Sequence, residues 1–342
     1  MTGPAQPSEA SGPEGPGPGP GPGPGPGPSG PEPLSGPGEA HVPGGPSLAR
    51  ALADGPVLLD GGLSNQLEAQ GCDLSDVLWS ARLLADDPDQ ITAAHRAYVR
   101  AGARVLITSS YQASFEGFAR KGLDRGQAAA LFRRSVRLAR AAARDAARPV
   151  WVAASVGPYG AVLADGSEYR GRYGLGVGEL ERFHRPRVEA LVAAGPDVLA
   201  LETVPDCVEA EALLRAVRGC GVPVWLSYTV AGGRTRAGQP LDEAFGLAAD
   251  HEEVIAVGVN CCAAEEVDHA VETAAARTGL PVVAYPNSGE TWDAARHAWR
   301  GTASFAPHRV HGWLARGARL VGGCCRVGPE RIGELGQAIE NG

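Results

Sequence analysis

The chain has little lysine, no long apolar run and no Cys-x-x-Cys pair. Its one lysine, Lys121, lies in a loop well past the second predicted strand, which argues against an aldolase that forms a Schiff base. No apolar run approaches the roughly 20 residues that a membrane span needs. Without a Cys-x-x-Cys pair, the usual structural zinc knuckle is excluded. No Gly-x-Gly-x-x-Gly follows the first predicted strand, so a dinucleotide site has no support.

The N-terminal residues differ from the rest in composition. Glycine and proline alternate from Gly15 to Pro28, and this repeat offers no apolar side chain to bury. Such a segment cannot offset the entropy of ordering its backbone. No lysine or arginine precedes Arg50 and no apolar core segment is present, so we do not expect a signal peptide. We predict a disordered Gly/Pro-rich tail over residues 1–46 and one folded domain over residues 47–342.

The net charge and the cysteine content limit which classes of partner and which cellular compartment we expect. The formal net charge is -8, and four of the negative charges are glutamates of the predicted tail, so the folded part is only mildly acidic. A nucleic-acid partner normally requires a basic patch, and we expect neither nucleic acid nor membrane as a partner. The 7 cysteines are odd in number and partly paired in sequence, which does not favour a secreted disulfide framework. We therefore predict a cytoplasmic protein.

Short apolar runs alternate with longer segments of helical period along the folded part. The predicted strands begin near Val57, Arg104, Val150, Val198, Val224, Val254, Val282 and Arg319. The predicted helices cover residues 88–101, 125–147, 178–194, 206–218, 241–250, 264–277, 307–316 and 329–339. Eight β/α units with continuously apolar strands predict an α/β fold, a single (β/α)8 TIM-type barrel. A doubly wound open sheet is the alternative.

Three cysteines, Cys261, Cys324 and Cys325, each follow an apolar strand-like run. Active sites of such barrels lie at the C-terminal ends of the strands. Three thiolates can bind one Zn²⁺ and leave a fourth position open, as in catalytic sites, and soft sulfur ligands favour zinc over magnesium or calcium. Cys324 and Cys325 can share a metal only if the backbone turns there, which Gly322-Gly323 would permit.

Other cysteines and the histidines have simpler interpretations. Free cysteine often serves as a small buried hydrophobe. We expect this of four residues: Cys72, Cys207, Cys220 and Cys262. We expect His95, His184 and His269, which lie in predicted helices, to be surface or core residues, and only His297 is kept as an outside candidate for the site.

Several motifs at the predicted strand ends occur together. They are Asp60-Gly-Gly, the segment Thr-Ser-Ser-Tyr-Gln-Ala-Ser over residues 108–114, Glu202-Thr203, Gly-Val-Asn-Cys261, the segment Tyr-Pro-Asn-Ser-Gly-Glu over residues 285–290, and Gly-Gly-Cys324-Cys325. From Val57 to Val327 the chain thus resembles the homocysteine S-methyltransferase family. The resemblance implies that Cys261, Cys324 and Cys325 bind zinc and that Asp60 and Glu202 hold the amino group of L-homocysteine.

Further expectations concern the substrates. Tyr111, Gln112, Asn287 and Ser288 are candidate substrate contacts, or else hydrogen-bonded loop residues. The segment over residues 285–290 is most similar to bacterial and plant members that use S-methylmethionine or S-adenosylmethionine. The resemblance therefore implies small-molecule partners, L-homocysteine and a sulfonium methyl donor. A betaine-using enzyme and a non-catalytic zinc- or thiol-binding barrel are the alternatives.

Overall fold

Eight apolar segments form parallel strands of one sheet, at the positions that the sequence predicts. The computed structural model describes residues 46–74, 79–144, 146–293 and 298–342. The strands are β1 Val57–Leu58, β2 Val105–Ile107, β3 Trp151–Val156, β4 Val198–Val204, β5 Val224–Tyr228, β6 Val254–Asn260, β7 Val282–Tyr285 and β8 Ala318–Val321. The predicted tail, except Pro46, lies outside the described residues, and so does His297.

The strands follow one another around a ring in chain order. Each strand pairs in parallel with its chain neighbour from β2 to β8, and β8 pairs with β1. A parallel bridge between Leu59 and Val105 joins β1 to β2, so the ring closes. The prediction of a (β/α)8 barrel is confirmed, and the open-sheet alternative is wrong.

Helices lie between successive strands and cover the barrel. The α-helices are Leu48–Asp54, Leu63–Ala69, Trp79–Asp86, Pro88–Arg100, Phe115–Arg120, Arg125–Ala143, Tyr159–Leu163, Val177–Val192, Cys207–Val217, Leu241–Gly246, Val267–Thr278, Arg309–Ala315 and Pro329–Glu340. Short 3₁₀ helices cover Ser167–Tyr169 and Ala264–Glu266, and two small hairpins pair Val230–Ala231 with Arg234–Thr235 and Thr291–Asp293 with Ala298–Arg300. No helix among the described residues is long and apolar enough to cross a membrane.

Two helices end four residues before the predicted position, and the other predicted helix ends agree within two residues. Arg125–Ala143 stops four residues before the predicted position 147. Leu241–Gly246 stops before the predicted position 250, and the following turns use shorter-range bonds such as Ala248 N to Phe245 O (3.1 Å). Gly246 is a weak helix former, which explains the early end.

Alternate strand residues fill the inside of the barrel. This inner cluster contains Val57, Leu59, Val105, Trp151, Ala153, Val198, Ala200, Trp225, Ala256, Val283, Tyr285 and Leu320, with Leu48 and Leu52 of the first helix packed against it. Large rings of Trp151 and Trp225 share this space with small alanines, so the interior is a packed core and not a pore. Each buried large side chain contributes about 1.5–3 kcal/mol. The barrel therefore provides a rigid base for the residues at its strand ends.

Candidate active site

The three predicted metal-binding cysteines lie together at the C-terminal ends of β6 and β8. Their sulfur atoms are all within 4.8 Å of one another, and Cys261 Sγ lies 3.9 Å from Cys325 Sγ. Cys261 and Cys324 are joined by a disulfide. Zinc–sulfur bonds of about 2.3 Å in a tetrahedron place sulfur atoms about 3.8 Å apart. The donor set and the spacing of this group therefore fit a zinc ion once the thiols are reduced.

Cys262 lies apart from this group, although it is next to Cys261 in sequence. Its side chain is fully buried in the core between the strands and the helices. Burial raises the pKa of its thiol to about 12, so it stays protonated at neutral pH. Cys261 has a left-handed backbone with a φ of 47°, which separates the directions of the two neighbouring side chains. Only Cys261 of this pair faces the other sulfurs.

The backbone turn that brings Cys324 and Cys325 together differs from the expected one. It lies at Cys325 and Arg326, where Val327 N bonds to Cys324 O (3.1 Å) and Arg326 has a φ of 65°. The preceding glycines serve close packing instead. A Cβ atom on Gly322 would lie 2.5 Å from the Cβ of Leu59, so only glycine lets β8 approach β1 this closely.

The segment after β7 connects the two cysteine turns. Asn287 Oδ1 accepts a hydrogen bond from Cys325 N (3.1 Å), and Ser288 N donates to Cys325 O (3.0 Å). Asn287 N donates to Cys262 O (2.9 Å), which fixes the other turn. These bonds show Asn287 and Ser288 as supports of the sulfur group, and their contact with substrate stays a prediction.

Glu202 ends inside the barrel mouth with both carboxylate oxygens bonded. Ser155 Oγ donates to Oε1, and Tyr285 Oη donates to Oε2 (2.9 Å). Burial raises the pKa of Glu202 to about 7, and the two hydroxyl bonds oppose that rise. A carboxylate with such a pKa can exist in either protonation state at neutral pH. A positively charged group bound beside it would favour the ionised state.

The second predicted carboxylate, Asp60, lies at the end of β1. Its Oδ2 accepts a hydrogen bond from Ile107 N (2.8 Å), whereas its buried Oδ1 has no partner within the described part of the chain. Burial raises the pKa of Asp60 well above its usual value, and the charge of Glu202 adds to the rise. Two buried carboxylates whose charges interact create a strong preference for a cation.

The loop after β2 adds polar atoms that lack a partner. Burial raises the pKa of Tyr111 well above its usual value. Gln112 Nε2 donates to the carbonyl of Ala161 in the helix Tyr159–Leu163 (3.3 Å), but its Oε1 is buried without a partner in the described chain, as is Ser109 Oγ. These unpartnered atoms are available to a ligand. Whether Tyr111 and Gln112 contact substrate stays a prediction.

Several supporting residues were missed by sequence reasoning. Asn260 Oδ1 accepts from Thr203 N (2.7 Å) and from Ser227 Oγ (2.9 Å), which holds Thr203 at a φ of 59° directly after Glu202. Tyr285 joins Glu202 to the inner core. Asn260 stands in the motif before Cys261, but nothing in the sequence indicated that it bonds to Ser227 and Thr203.

Three of the histidines lie where they were expected. His95 and His184 are fully buried in helices, and His269 is exposed. Burial lowers the pKa of His95 to about 4, which keeps it neutral. None of these three belongs to the sulfur group.

A model of the homocysteine S-methyltransferase family matches residues 57–339. The chain belongs to this family. It is 45% identical over 304 residues to the homocysteine S-methyltransferase of Escherichia coli strain K12, an alignment that covers 84% of this chain and 96% of the relative. It is 42% identical over 309 residues to homocysteine S-methyltransferase 4 of Zea mays, covering 84% of this chain and 90% of that one.

Solved structures agree with this assignment. The chain matches the homocysteine methyltransferase MmuM from Escherichia coli with a TM-score of 0.76 and 44% identity, over 84% of this chain and 98% of that chain, in both its metallated form and its oxidized form. The fold, the family and the methyltransferase class expected from the motifs are therefore confirmed.

Proposed function

We propose that this protein transfers a methyl group from a sulfonium donor, S-methylmethionine or S-adenosylmethionine, to the thiolate of L-homocysteine, and so forms methionine. The observation that supports this most is the group of three sulfurs at the barrel mouth, next to two buried carboxylates, in a chain of the homocysteine S-methyltransferase family. The sulfurs suit a thiol nucleophile held by a metal. The carboxylates suit the ammonium group of an amino acid.

Cys261, Cys324 and Cys325 are the residues that would hold zinc. Their spacing and their soft sulfur donors support this metal, and a relative has been solved in a metallated form. Bound zinc holds a substrate thiol in its deprotonated state at neutral pH. An unbound thiol with a pKa near ~8.5 would be only a few per cent thiolate there. Because Cys261 and Cys324 form a disulfide in the structure, metal binding requires the reduced protein.

Asp60 and Glu202 would position homocysteine through its ammonium group. Asp60 Oδ1 has no other partner in the described chain, and the ionised form of Glu202 gains an opposite charge when the ammonium binds. Charge-assisted hydrogen bonds of this kind are about twice as strong as neutral ones. The two carboxylates thus fix the amino-acid end while the sulfur stays at the cysteine group.

The transfer needs no acid catalyst. A lone pair of the homocysteine sulfur forms the new bond to the methyl carbon. The bond from that carbon to the sulfonium sulfur breaks, and its electron pair stays on the departing neutral thioether. The proton of the homocysteine thiol leaves when the thiol is deprotonated, before transfer. The protein therefore contributes positioning and exclusion of water, which agrees with the absence of histidine and lysine from the described strand ends.

We expect S-methylmethionine to exceed betaine as a donor by more than about 100-fold in kcat/KM, or about 2.7 kcal/mol. A neutral thioether is a much better leaving group than a tertiary amine. S-adenosylmethionine should be the weaker sulfonium donor. Methionine formation from homocysteine with each donor is the measurement. Equal or faster turnover with betaine would contradict the assignment of a sulfonium as the methyl donor. If no donor gives methionine, the proposed methyltransferase function is wrong.

Deleting residues 1–45 should change neither the melting temperature nor the rate of methionine formation. The Gly-Pro repeats offer nothing to bury, and such a segment contributes little to folding. Pro46, whose carbonyl accepts a hydrogen bond from Trp151 Nε1 (3.1 Å), is retained in the shortened chain. Thermal unfolding of the full and shortened proteins tests this. A clear fall in melting temperature would show that the tail docks on the domain.

A further inference from the structure

Two loop segments beside the cysteine group are held together as a unit. They are residues 167–172, after β3, and residues 229–239, after β5. Asp206 joins them, because its Oδ2 accepts from Arg172 N (3.0 Å) and its Oδ1 accepts from Gln239 Nε2 (2.9 Å). The Arg172 guanidinium also donates to a carbonyl of the second segment. Neither segment contains Asp60 or Glu202, the carboxylates that we propose to bind homocysteine.

Tyr169 of the first segment and Arg236 of the second connect these segments to the cysteine group. The Tyr169 hydroxyl and the Cys325 thiol interact electrostatically. The Arg236 guanidinium lies 5.5 Å from the centre of the Tyr169 ring. Its Nε donates to Thr229 Oγ1 (3.4 Å), and Thr229 Oγ1 in turn donates to Cys261 O (3.1 Å). In the described part of the chain the hydrogen bond of Arg236 uses only Nε, which leaves its two Nη groups to a ligand.

Glu168 supplies a carboxyl group next to Tyr169, and burial raises the pKa of that group. Its Oε2 is buried and has no hydrogen-bond partner among the described residues. Glu168 directly precedes Tyr169 in the 3₁₀ helix Ser167–Tyr169, so its carboxyl group lies beside the Tyr169 side of the site. A buried carboxylate oxygen without a partner is costly, and a bound cation would remove that cost.

We propose that Glu168, Tyr169 and Arg236 bind the methyl donor, an inference that rests on the proposed function. The sulfonium lies against Tyr169 beside the cysteine sulfurs and is balanced by Glu168, as aromatic rings and carboxylates stabilise cations. Arg236 binds the carboxylate at the amino-acid end of the donor, for which the planar guanidinium is suited. The site thus selects a sulfonium that carries a carboxylate, while homocysteine is held by Asp60 and Glu202.

Direct binding measurements on the reduced, zinc-loaded protein test this assignment without depending on turnover. Calorimetric titration with S-methylmethionine should give a Kd about 10- to 100-fold higher for Arg236→Gln than for the unchanged protein, the usual worth of a charged hydrogen bond. Trimethylsulfonium, which has no carboxylate, should bind both proteins equally. Glu168→Gln should weaken binding of both cations, by about tenfold.

Arg234→Gln is the matched control, because Arg234 lies in the same loop with an exposed side chain bonded to Gly238 O (3.2 Å). It should leave the Kd of both donors unchanged. An unchanged Kd of homocysteine in Arg236→Gln and Glu168→Gln would show that these variants are folded. If S-methylmethionine does not bind the unchanged protein, or binds Arg236→Gln equally well, the assignment is wrong. If it binds as expected but no methionine forms, the donor site stands and the proposed function fails.

Discussion

Replacing Cys324 by alanine is expected to remove the bound zinc and to lower methionine formation by more than about 1,000-fold, because metal ions contribute several kcal/mol to such reactions. Two sulfurs cannot hold the ion as three do, and an unbound homocysteine thiol is mostly protonated at neutral pH. Cys325→Ala should behave in the same way. The measurements are zinc content of the reduced protein, which we expect to be about one ion per chain, and turnover with S-methylmethionine.

The barrel itself should survive these changes. Cys324 and Cys325 are half-buried at the mouth, outside the fully buried side chains that fill the barrel. The matched control is Cys262→Ala, which removes a sulfur adjacent in sequence to a proposed ligand but buried in the core. It should keep zinc and turnover and lose about 1 kcal/mol of unfolding free energy. Full zinc content in Cys324→Ala would refute the proposed ligand set.

The fold could be predicted because its signals are local. Each of the eight strands is a run of apolar residues between helical segments, and eight such units in a row close as a barrel. The helix ends were predicted less well. The helix Leu241–Gly246 ends at a glycine, whose low helix propensity is outweighed in the sequence by the helix-forming residues around it.

The site could be predicted only in part. Polar residues at strand ends and the three cysteines were visible in the sequence, and the ring geometry brings them together. The bond from Tyr285 to Glu202 spans 83 positions and joins two strands that are not neighbours. The sequence of β7 is apolar apart from Tyr285, and nothing in it indicates which residue the Tyr285 hydroxyl will hydrogen-bond. The residues proposed to bind the donor were missed for a similar reason, because Tyr169 and Arg236 belong to loops that Asp206 holds together.

Left-handed backbone conformations occur at or next to the proposed site residues. Thr203, Cys261 and Arg326 have φ values of 59°, 47° and 65°, and each is a proposed site residue or directly follows one. Such left-handed conformations cost about 1–3 kcal/mol each for residues other than glycine and persist where neighbours enforce them. Asn260 enforces the turn at Thr203, and the segment after β7 supports both cysteine turns. None of these three positions is a glycine, so the residue types gave no sign of a left-handed backbone at them.

Glu202→Gln is expected to lower kcat/KM for homocysteine by about 100-fold or more, with every methyl donor, because an uncharged amide cannot balance a buried ammonium. The KM of the donor should change little, since other residues are proposed to bind it. Steady-state kinetics with homocysteine varied at saturating S-methylmethionine, and then at saturating S-adenosylmethionine, measures this. Loss with one donor only would contradict the role assigned to Glu202.

The pH dependence provides a sharper test of the same residue. Burial raises the pKa of Glu202 to about 7 in the free protein, and only the ionised form attracts the ammonium. As the pH falls below this value, kcat/KM for homocysteine should therefore fall, by up to about tenfold per pH unit. Tyr285→Phe removes a hydrogen bond that lowers this pKa, so its acid limb should move to higher pH. In Glu202→Gln the part of this pH dependence that is due to Glu202 should be lost. An unchanged dependence in that variant would mean that Asp60 or another group controls it.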